Sequence, residues 1–271
     1  MTLLVVGASG HLGGEVCRQA VAAGERVAGT YHSGGIGVPG VEAYRLDVTD
    51  RAAVRDLVAR VRPDAVVATP YRYDEWTVTA DGAAHVACAA VEAGARLVHV
   101  SSDAVHAGRP EPYADDEVPS PVFAYGAAKA AAETAVRAVD PGAALVRTSL
   151  IVGDERSNQI RLCLDALAGA ATLFTDQIRC PVHVADLAGA VLDLAGTRYA
   201  GLLNVAGPDA VSRAEMGLLV AAHFGLDPAG LKTATVAESG FVRPAEVRLD
   251  SSRAATLLPT RLRGIRELLA P

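Results

Sequence analysis

Tyr125 and Lys129 stand four residues apart in the run Tyr125-Gly126-Ala127-Ala128-Lys129. On a helix that spacing stacks both side chains on one face. A phenol with a pKa of about 10 is a poor acid-base catalyst at neutral pH, and an ammonium beside it favours the phenolate and brings the pKa toward the working range. The same ammonium can reach the ribose of a cofactor. The chain meets nearly all its need for positive charge with arginine and holds only two lysines, Lys129 and Lys232. A guanidinium is bulkier and effectively never deprotonated. A lysine at position 129 therefore fits proton transfer better than it fits a surface pair beside a helix start, the plainer reading of the same residues.

Further candidates gather around this pair. Val100-Ser101-Ser102-Asp103 ends a predicted strand at the edge where open α/β sheets bind ligands. There the Ser102 hydroxyl can hydrogen-bond a carbonyl oxygen and stabilise the alkoxide that forms on hydride delivery. Asp103 reads equally as a turn former and as part of a proton relay or substrate contact. Gly7-Ala8-Ser9-Gly10-His11-Leu12-Gly13 directly follows the first predicted strand and opens the first helix, the context in which a glycine pattern becomes a phosphate-binding loop instead of an ordinary turn. Gly7 permits the tight turn, Gly10 lets backbone approach a pyrophosphate, and Gly13 lets the helix pack close to the sheet, while free N–H groups at the helix start face the negative charge. Ser9, His11 and Leu12 share that loop and are cofactor-side candidates with it.

The end of the second predicted strand, through Thr30, His32 and Ser33, carries no carboxylate to accept from a ribose 2′-OH. That favours NADP(H) over NAD(H), although no arginine stands there for a 2′-phosphate. Asp47, with Val48 beside it, is placed to receive an adenine amino group or, equally, to make a turn or cap. Ala68, Thr69 and Pro70 close the fourth strand on the cofactor side. No metal-ligand spacing is present.

The elements that must hold these residues are legible as an alternation. Short β-branched runs at 3–6, 26–30, 41–46, 65–69, 97–101 and 144–148 have the continuous apolar character of strands buried on both faces. Segments 11–23, 50–61, 80–93 and 123–139 are helical in composition, with Asp50 as an N-cap and Gly24 and Gly94 as C′ residues. Strand and helix alternating through short connections imply an α/β fold with a doubly wound parallel sheet. Beyond residue 150 the rhythm loosens, with helices predicted at 158–168, 213–224 and 262–269 and a strand at 202–205. No Gly-, Pro- or Ser-rich linker sets this part off. The expectation is a core over 1–150 and a small C-terminal substrate-binding lobe over 151–271, some of whose segments return to the core, with the substrate in the cleft between them.

The chain has 271 residues, 51% of them hydrophobic, enough for one sizeable core. A net charge of −6 offers no basic field for nucleic acid or an anionic membrane, which points to a small-molecule partner. Cys17, Cys88, Cys163 and Cys180 are scattered and read as small hydrophobes in a reducing compartment. The N-terminus shows neither a signal-peptide pattern nor an apolar run of spanning length, and the expected location is the cytoplasm.

Taken together these motifs resemble the extended short-chain dehydrogenase/reductase family, and within it the dTDP-4-dehydrorhamnose reductases and their relatives. Besides the glycine loop and the Tyr-Lys pair, the resemblance runs through Ser101 to His106, Pro112 to Glu117, Val146 to Ser149, Asp176-Gln177 before Pro181, Asn204 to Pro208, and Arg243-Pro244 ahead of Leu249 to Arg253. It implies a Rossmann fold in which Ser102, Tyr125 and Lys129 form a catalytic triad. A nicotinamide passes a hydride to a ketone carbon, Tyr125 gives the proton, and Ser102 and Lys129 hold the oxygen and the ribose. The implied substrate is a ketosugar linked to a nucleotide diphosphate, and the implied assembly a homodimer. Arg179 and Arg243 are candidates for the diphosphate, with a surface or structural ion pair as the other reading.

The sequence departs from that pattern at three places. Ala68 to Tyr71 replace an Asn-Ala-Ala stretch, Leu150 stands where a tryptophan commonly follows Arg-Thr-Ser, and His11 replaces a frequent glutamine. The first two fall around the pocket that would choose the substrate. Two other functions share the scaffold: a sugar-nucleotide epimerase or dehydratase that retains its cofactor, and a non-catalytic regulatory subunit like that of methionine adenosyltransferase. A complete Ser-Tyr-Lys set argues against the second, which has no need of a matched acid and ammonium.

Overall fold

The computed structural model of the chain describes residues 1–154 and 157–270. Its centre is a sheet of seven strands: β1 (Thr2–Val6), β2 (Arg26–Tyr31), β3 (Val41–Arg45), β4 (Ala65–Ala68), β5 (Arg96–Val100), β6 (Ala144–Arg147) and β7 (Gly201–Asn204). They lie in the order β3-β2-β1-β4-β5-β6-β7, and every adjacent pair is parallel. This is the doubly wound, Rossmann-type arrangement that the alternation predicts.

Unbroken apolar strands are explained by what covers them. Along β1, Leu3 and Val5 enter one core and Leu4 and Val6 the other. The first core is closed by α1 (His11–Ala22) and α6 (Val184–Ala195), the second by α2 (Arg51–Val61), α3 (Gly82–Glu92) and α4 (Ala124–Val139). With apolar side chains required on both faces, a strand loses its period-two signal. From β1 the chain winds outward to β3 and then crosses back to β4, so a crevice opens beyond the carboxyl ends of β1 and β4, where such sheets receive ligands.

Helix boundaries follow local chemistry. Asp50 accepts a hydrogen bond from the Ala53 amide at 3.0 Å and caps α2. Gly24 and Gly94, after α1 and α3, take φ values of 79° and 66°, as C′ residues do. The helix expected over 80–93 begins earlier, as a π turn at Thr77–Asp81 that runs into α3. The helix expected over 262–269 is reduced to Ile265–Leu268.

Beyond β6, α5 (Asn158–Leu167) and α7 (Arg213–Phe224) enclose a separate apolar cluster that includes Ile160, Cys163, Leu173, Met216 and Val220. Short two-residue ladders lace this part together. Ile178–Arg179 pairs antiparallel with Val211–Ser212, and Leu173–Phe174 pairs parallel with Thr233–Ala234. Runs of two residues are too short to carry a periodic signal. Between these pieces α6 and β7 rejoin the large sheet. All four cysteines are free, and Cys17, Cys163 and Cys180 are buried. Among the described residues no helix is long and apolar enough to cross a membrane.

Candidate active site

A single cleft of about 1010 Å³ runs from the glycine loop past Ser102, Tyr125 and Lys129 to Arg179, Arg213 and Arg243. It is at the upper limit of pockets that hold one drug-sized ligand, commonly about 300–1,000 Å³. It has room for a dinucleotide and a substrate end to end.

At the glycine-loop end the close approaches are made by backbone. Gly7 has φ +87°, and a Cβ there would sit 2.7 Å from Thr69 Oγ1. At Gly13 a Cβ would lie 2.2 Å from the Gly7 carbonyl oxygen, so α1 can seat against the loop only because that position is glycine. Gly10 is the N-cap of α1 and supplies no side-chain cap, which leaves N–H groups of the first turn directed at the cleft. Thr30 is buried and its hydroxyl accepts the Gly7 amide at 3.0 Å. Its role here is to brace the loop.

Ser9, His11 and Leu12 line the same end, with His32, Ser33, Asp47 and Val48 around its mouth. Asp47 does turn chemistry through one oxygen, accepting from the Thr49 amide at 2.9 Å and hydroxyl at 2.7 Å, and those bonds lower its pKa. Its second oxygen lies 3.9 Å from His32 Nε2. Thr69 and Pro70 reach the cleft, whereas Ala68 does not line it and is buried beneath the sheet edge. The loop, its free amides and the braced turn fit a dinucleotide pyrophosphate.

The middle of the cleft joins three elements. Ser102 follows β5 and caps a short turn, its hydroxyl accepting the Ala104 amide at 3.2 Å. Tyr125 and Lys129 project from the first turns of α4. A Cβ at Gly126 would lie 2.1 Å from the Ala104 carbonyl oxygen, so the glycine after the tyrosine lets α4 approach the turn carrying Ser102, close enough for the Ser102 hydroxyl to act on the Tyr125 phenol.

Lys129 is 2% exposed. Its Nζ donates to the Val100 carbonyl at 3.0 Å and lies 5.5 Å from the centre of the Tyr71 ring. Burial brings its pKa down to about 8, against the pull of Glu133. The expected lowering of the Tyr125 pKa by Lys129 is not what the structure shows. Burial raises that pKa, Tyr71 adds to the rise, and the nearby Ser102 hydroxyl opposes it. The physical reason is an aromatic enclosure. Tyr73 stacks on the Tyr125 ring at 4.8 Å, with Tyr71 at 5.6 Å and Phe123 at 6.1 Å, and the ammonium is turned to a carbonyl. Tyr125 is therefore held as a protonated phenol, able to donate, with a charged lysine beside it below about pH 8.

One turn further along α4, Glu133 is buried and makes a bidentate pair with Arg147, at 2.9 and 2.7 Å. Glu133 also accepts from Ser101 at 2.6 Å. This pair ties α4 to β5 and β6 and fixes the position of the lysine. The 125, 129, 133 spacing carried that signal, and sequence reasoning stopped at 129.

At the far end Asp103 is buried and anchors three groups. It accepts from Ser149 at 2.7 Å and from Ser102 at 3.3 Å, and it pairs with Arg179 Nε at 3.5 Å. Arg179 spends most of its remaining donors on backbone, giving bonds to the carbonyls of Ile178, Ala245 and Pro244 at 2.7, 2.9 and 2.8 Å. It lines the cleft but is committed to holding the 244–245 loop. Arg243 extends over the Phe241 ring at 5.1 Å, and Leu150 forms part of the wall.

Sequence reasoning did not find Arg213, which opens α7 and reaches the same space. Its signal, an arginine directly after the capping Ser212, is indistinguishable from an ordinary helix start. Several segments that carry the family resemblance serve structure. Asn204 donates to the carbonyls of Tyr113 at 2.9 Å and Asp250 at 3.2 Å, and Arg253 pairs with Asp115 at 3.1 Å.

Comparison with known proteins bears on this arrangement. Residues 1–270 match the family described as the RmlD substrate binding domain. A dTDP-4-dehydrorhamnose reductase of Mycobacterium tuberculosis is 31% identical over 90% of this chain and 81% of its own length. Methionine adenosyltransferase 2 subunit beta of Rattus norvegicus is 29% identical over 99% of this chain and 87% of its own. Among solved structures, a hypothetical dTDP-4-dehydrorhamnose reductase from Sulfolobus tokodaii superposes with a TM-score of 0.85 at 29% identity, covering 97% of each chain.

Proposed function

The chain belongs to the RmlD substrate binding domain family, and we propose that it is an NAD(P)H-dependent reductase of a ketone carried on a nucleotide-linked sugar. The observation that carries this reading is the convergence of Ser102, Tyr125 and Lys129 on the cleft whose other end is the glycine loop. A nicotinamide dinucleotide, when bound, supplies the hydride. The chain's own residues do the rest. The Tyr125 phenol donates its proton to the carbonyl oxygen as negative charge develops there, and the Ser102 hydroxyl holds the same oxygen. The Lys129 ammonium, held on the Val100 carbonyl, carries its positive charge to the cofactor ribose. Gly7, Gly10 and Gly13 admit the pyrophosphate.

NADPH is the preferred cofactor in this reading, because Thr30, His32 and Ser33 present no carboxylate to a 2′-phosphate. Arg243, which lines the far end of the cleft, is the contact this reading gives to the substrate's diphosphate. A non-catalytic subunit, suggested by similarity to methionine adenosyltransferase 2 subunit beta, is the weaker reading, since it gives no reason to keep an ammonium and a phenol together in a cleft. The test is titration of the protein with NADPH and NADH, followed by cofactor oxidation against a panel of ketosugar nucleotides and simple ketones. Saturable NADPH binding with net oxidation by a ketosugar nucleotide is expected. Absence of binding to either cofactor defeats the proposal, and turnover of the sugar without net oxidation assigns the site to an epimerase or dehydratase.

A further inference from the structure

Four rings meet beside the proton donor. Tyr73 lies nearly parallel to Tyr125, with 4.8 Å between ring centres and 14° between planes, while Tyr71 and Phe123 tilt against Tyr125 at 5.6 and 6.1 Å. One face of Tyr73 is therefore taken by Tyr125. Tyr73 is nevertheless 51% exposed and Tyr71 53%, and both line the cleft. The opposite face and the edge of the Tyr73 ring account for that exposure. Two large rings, side by side and half exposed, make a contiguous apolar patch, which in a ligand cleft marks a contact surface.

The backbone that presents these rings is clasped. Between them the Arg72 amide donates to the Thr79 hydroxyl at 3.0 Å, and the same hydroxyl donates to the Arg72 carbonyl at 2.8 Å. Thr79 is fully buried in the π turn at Thr77–Asp81, an irregularity that recurs at functional sites. One side chain thus holds both backbone groups of the residue separating the two tyrosines, so the rings are set before any ligand arrives. Their place in the cleft matters as much. Tyr73 acts electrostatically on Tyr125 and on Arg179, so its ring spans from the proton donor toward the far end. A nucleotide-linked ketosugar that puts its carbonyl at Tyr125 and its diphosphate toward that end lays its sugar along the same span. The C–H face of a sugar ring is apolar and packs on the face of an aromatic ring.

We propose that Tyr73, with Tyr71 beside it, is a specificity-determining residue whose open face is the platform for the ring that carries the ketone, so that the cleft selects a cyclic sugar over an open-chain carbonyl compound. The assignment rests on the reductase reading, which places the substrate carbonyl at Tyr125. The sugar contact then comes from the loop after β4, and Thr79, which touches neither sugar nor cofactor, is the positioning residue behind it.

The experiment is calorimetric titration of the full chain with UDP, UDP-glucose, dTDP and dTDP-glucose, and separately with NADPH, for the wild type, Tyr73→Leu and Tyr73→Phe. The wild type should bind at least one of the sugar nucleotides about tenfold more tightly than the bare diphosphate it is built on. Tyr73→Leu should cut that ratio by about fivefold and leave the affinities for the diphosphate and for NADPH unchanged, which also shows that the variant is folded. Tyr73→Phe keeps the ring and should keep the ratio. An unaltered ratio in Tyr73→Leu, equal loss in Tyr73→Phe, or a wild type that gains nothing from the sugar overturns the assignment. A sugar gain that depends on Tyr73 in a protein that oxidises no NADPH would uphold the platform and sink the reductase reading alone. Net NADPH oxidation by a ketosugar nucleotide, with a sugar gain indifferent to Tyr73, would do the reverse.

Discussion

At the glycine-loop end of the cleft the groups that face a ligand are backbone amides, held by a loop in which Gly7 and Gly13 leave no room for a side chain. At the other end they are guanidinium heads, held by glutamines, carbonyls and one carboxylate from separate elements. A Cβ at Gly13 would meet a carbonyl oxygen at 2.2 Å, whereas Arg213 depends on Gln159 in α5 and Gln177 before a two-residue ladder. In the proposed reading the first design receives a constant feature, a pyrophosphate, and leaves little to adjust. The second presents charge on side chains that can be exchanged one at a time, so in the proposed reading the choice of substrate can change while cofactor and chemistry stay. Ser102, Tyr125 and Lys129 lie where the two designs meet.

The largest effect is expected at that junction. Tyr125→Phe should lower kcat for ketone reduction by about 10³-fold while leaving NADPH affinity and thermal midpoint close to the wild type, as stopped-flow assays and melting curves would read. Next comes Gly13→Ala, which should destabilise the protein by about 1–3 kcal/mol through overpacking and weaken NADPH by at least about tenfold, seen in denaturant titrations and cofactor binding. The substitution has no counterpart at the arginine end, and a Gly13→Ala protein with normal NADPH affinity would break the contrast.

The pH dependence sharpens it further. Because burial holds Lys129 at about 8, the rate of reduction should be level below that pH and fall by about tenfold per unit above it. The stability sign is opposite. Between about pH 8 and the ordinary lysine value of 10.5 the unfolded chain binds more protons at this group than the folded one, so its contribution to unfolding free energy rises with pH in that window. Lys129→Met should abolish that rise in urea titrations across the range. A smaller effect is expected from His32→Asp, which should shift preference toward NADH by about tenfold. The smallest is Leu150→Ala, expected to alter KM for the sugar substrate by about threefold with NADPH affinity untouched. Equal changes in both constants would show that the two ends are not independent.

The same contrast explains how much was legible. The glycine loop, the β-α alternation and the Tyr125–Lys129 spacing are local patterns, and each is written in consecutive residues. The substrate end is assembled from α5, α7 and short ladders far apart in the chain, so no window of sequence contains it. Arg179 was visible and Arg213 was not, although both line the cleft. The direction of the Tyr125 pKa was missed for a similar reason, because Tyr71 and Tyr73 come from a loop some fifty residues earlier and enclose a phenol that the helix spacing alone would leave open to the lysine. Thr30 and Glu133 show the intermediate case: both stand in recognisable segments, but bracing becomes apparent only once β2 lies beside β1 and α4 beside β6.

The most direct measurement of the central claim is transfer of label from NADPH deuterated at the nicotinamide C4 position, with a nucleotide-linked ketosugar as acceptor, followed by mass spectrometry of the product alcohol. Deuterium on the carbon that was the ketone, with one NADPH consumed per product and the transfer lost in Tyr125→Phe, is the expected result. Unlabelled product, or labelled product formed at the full rate by Tyr125→Phe, would contradict it.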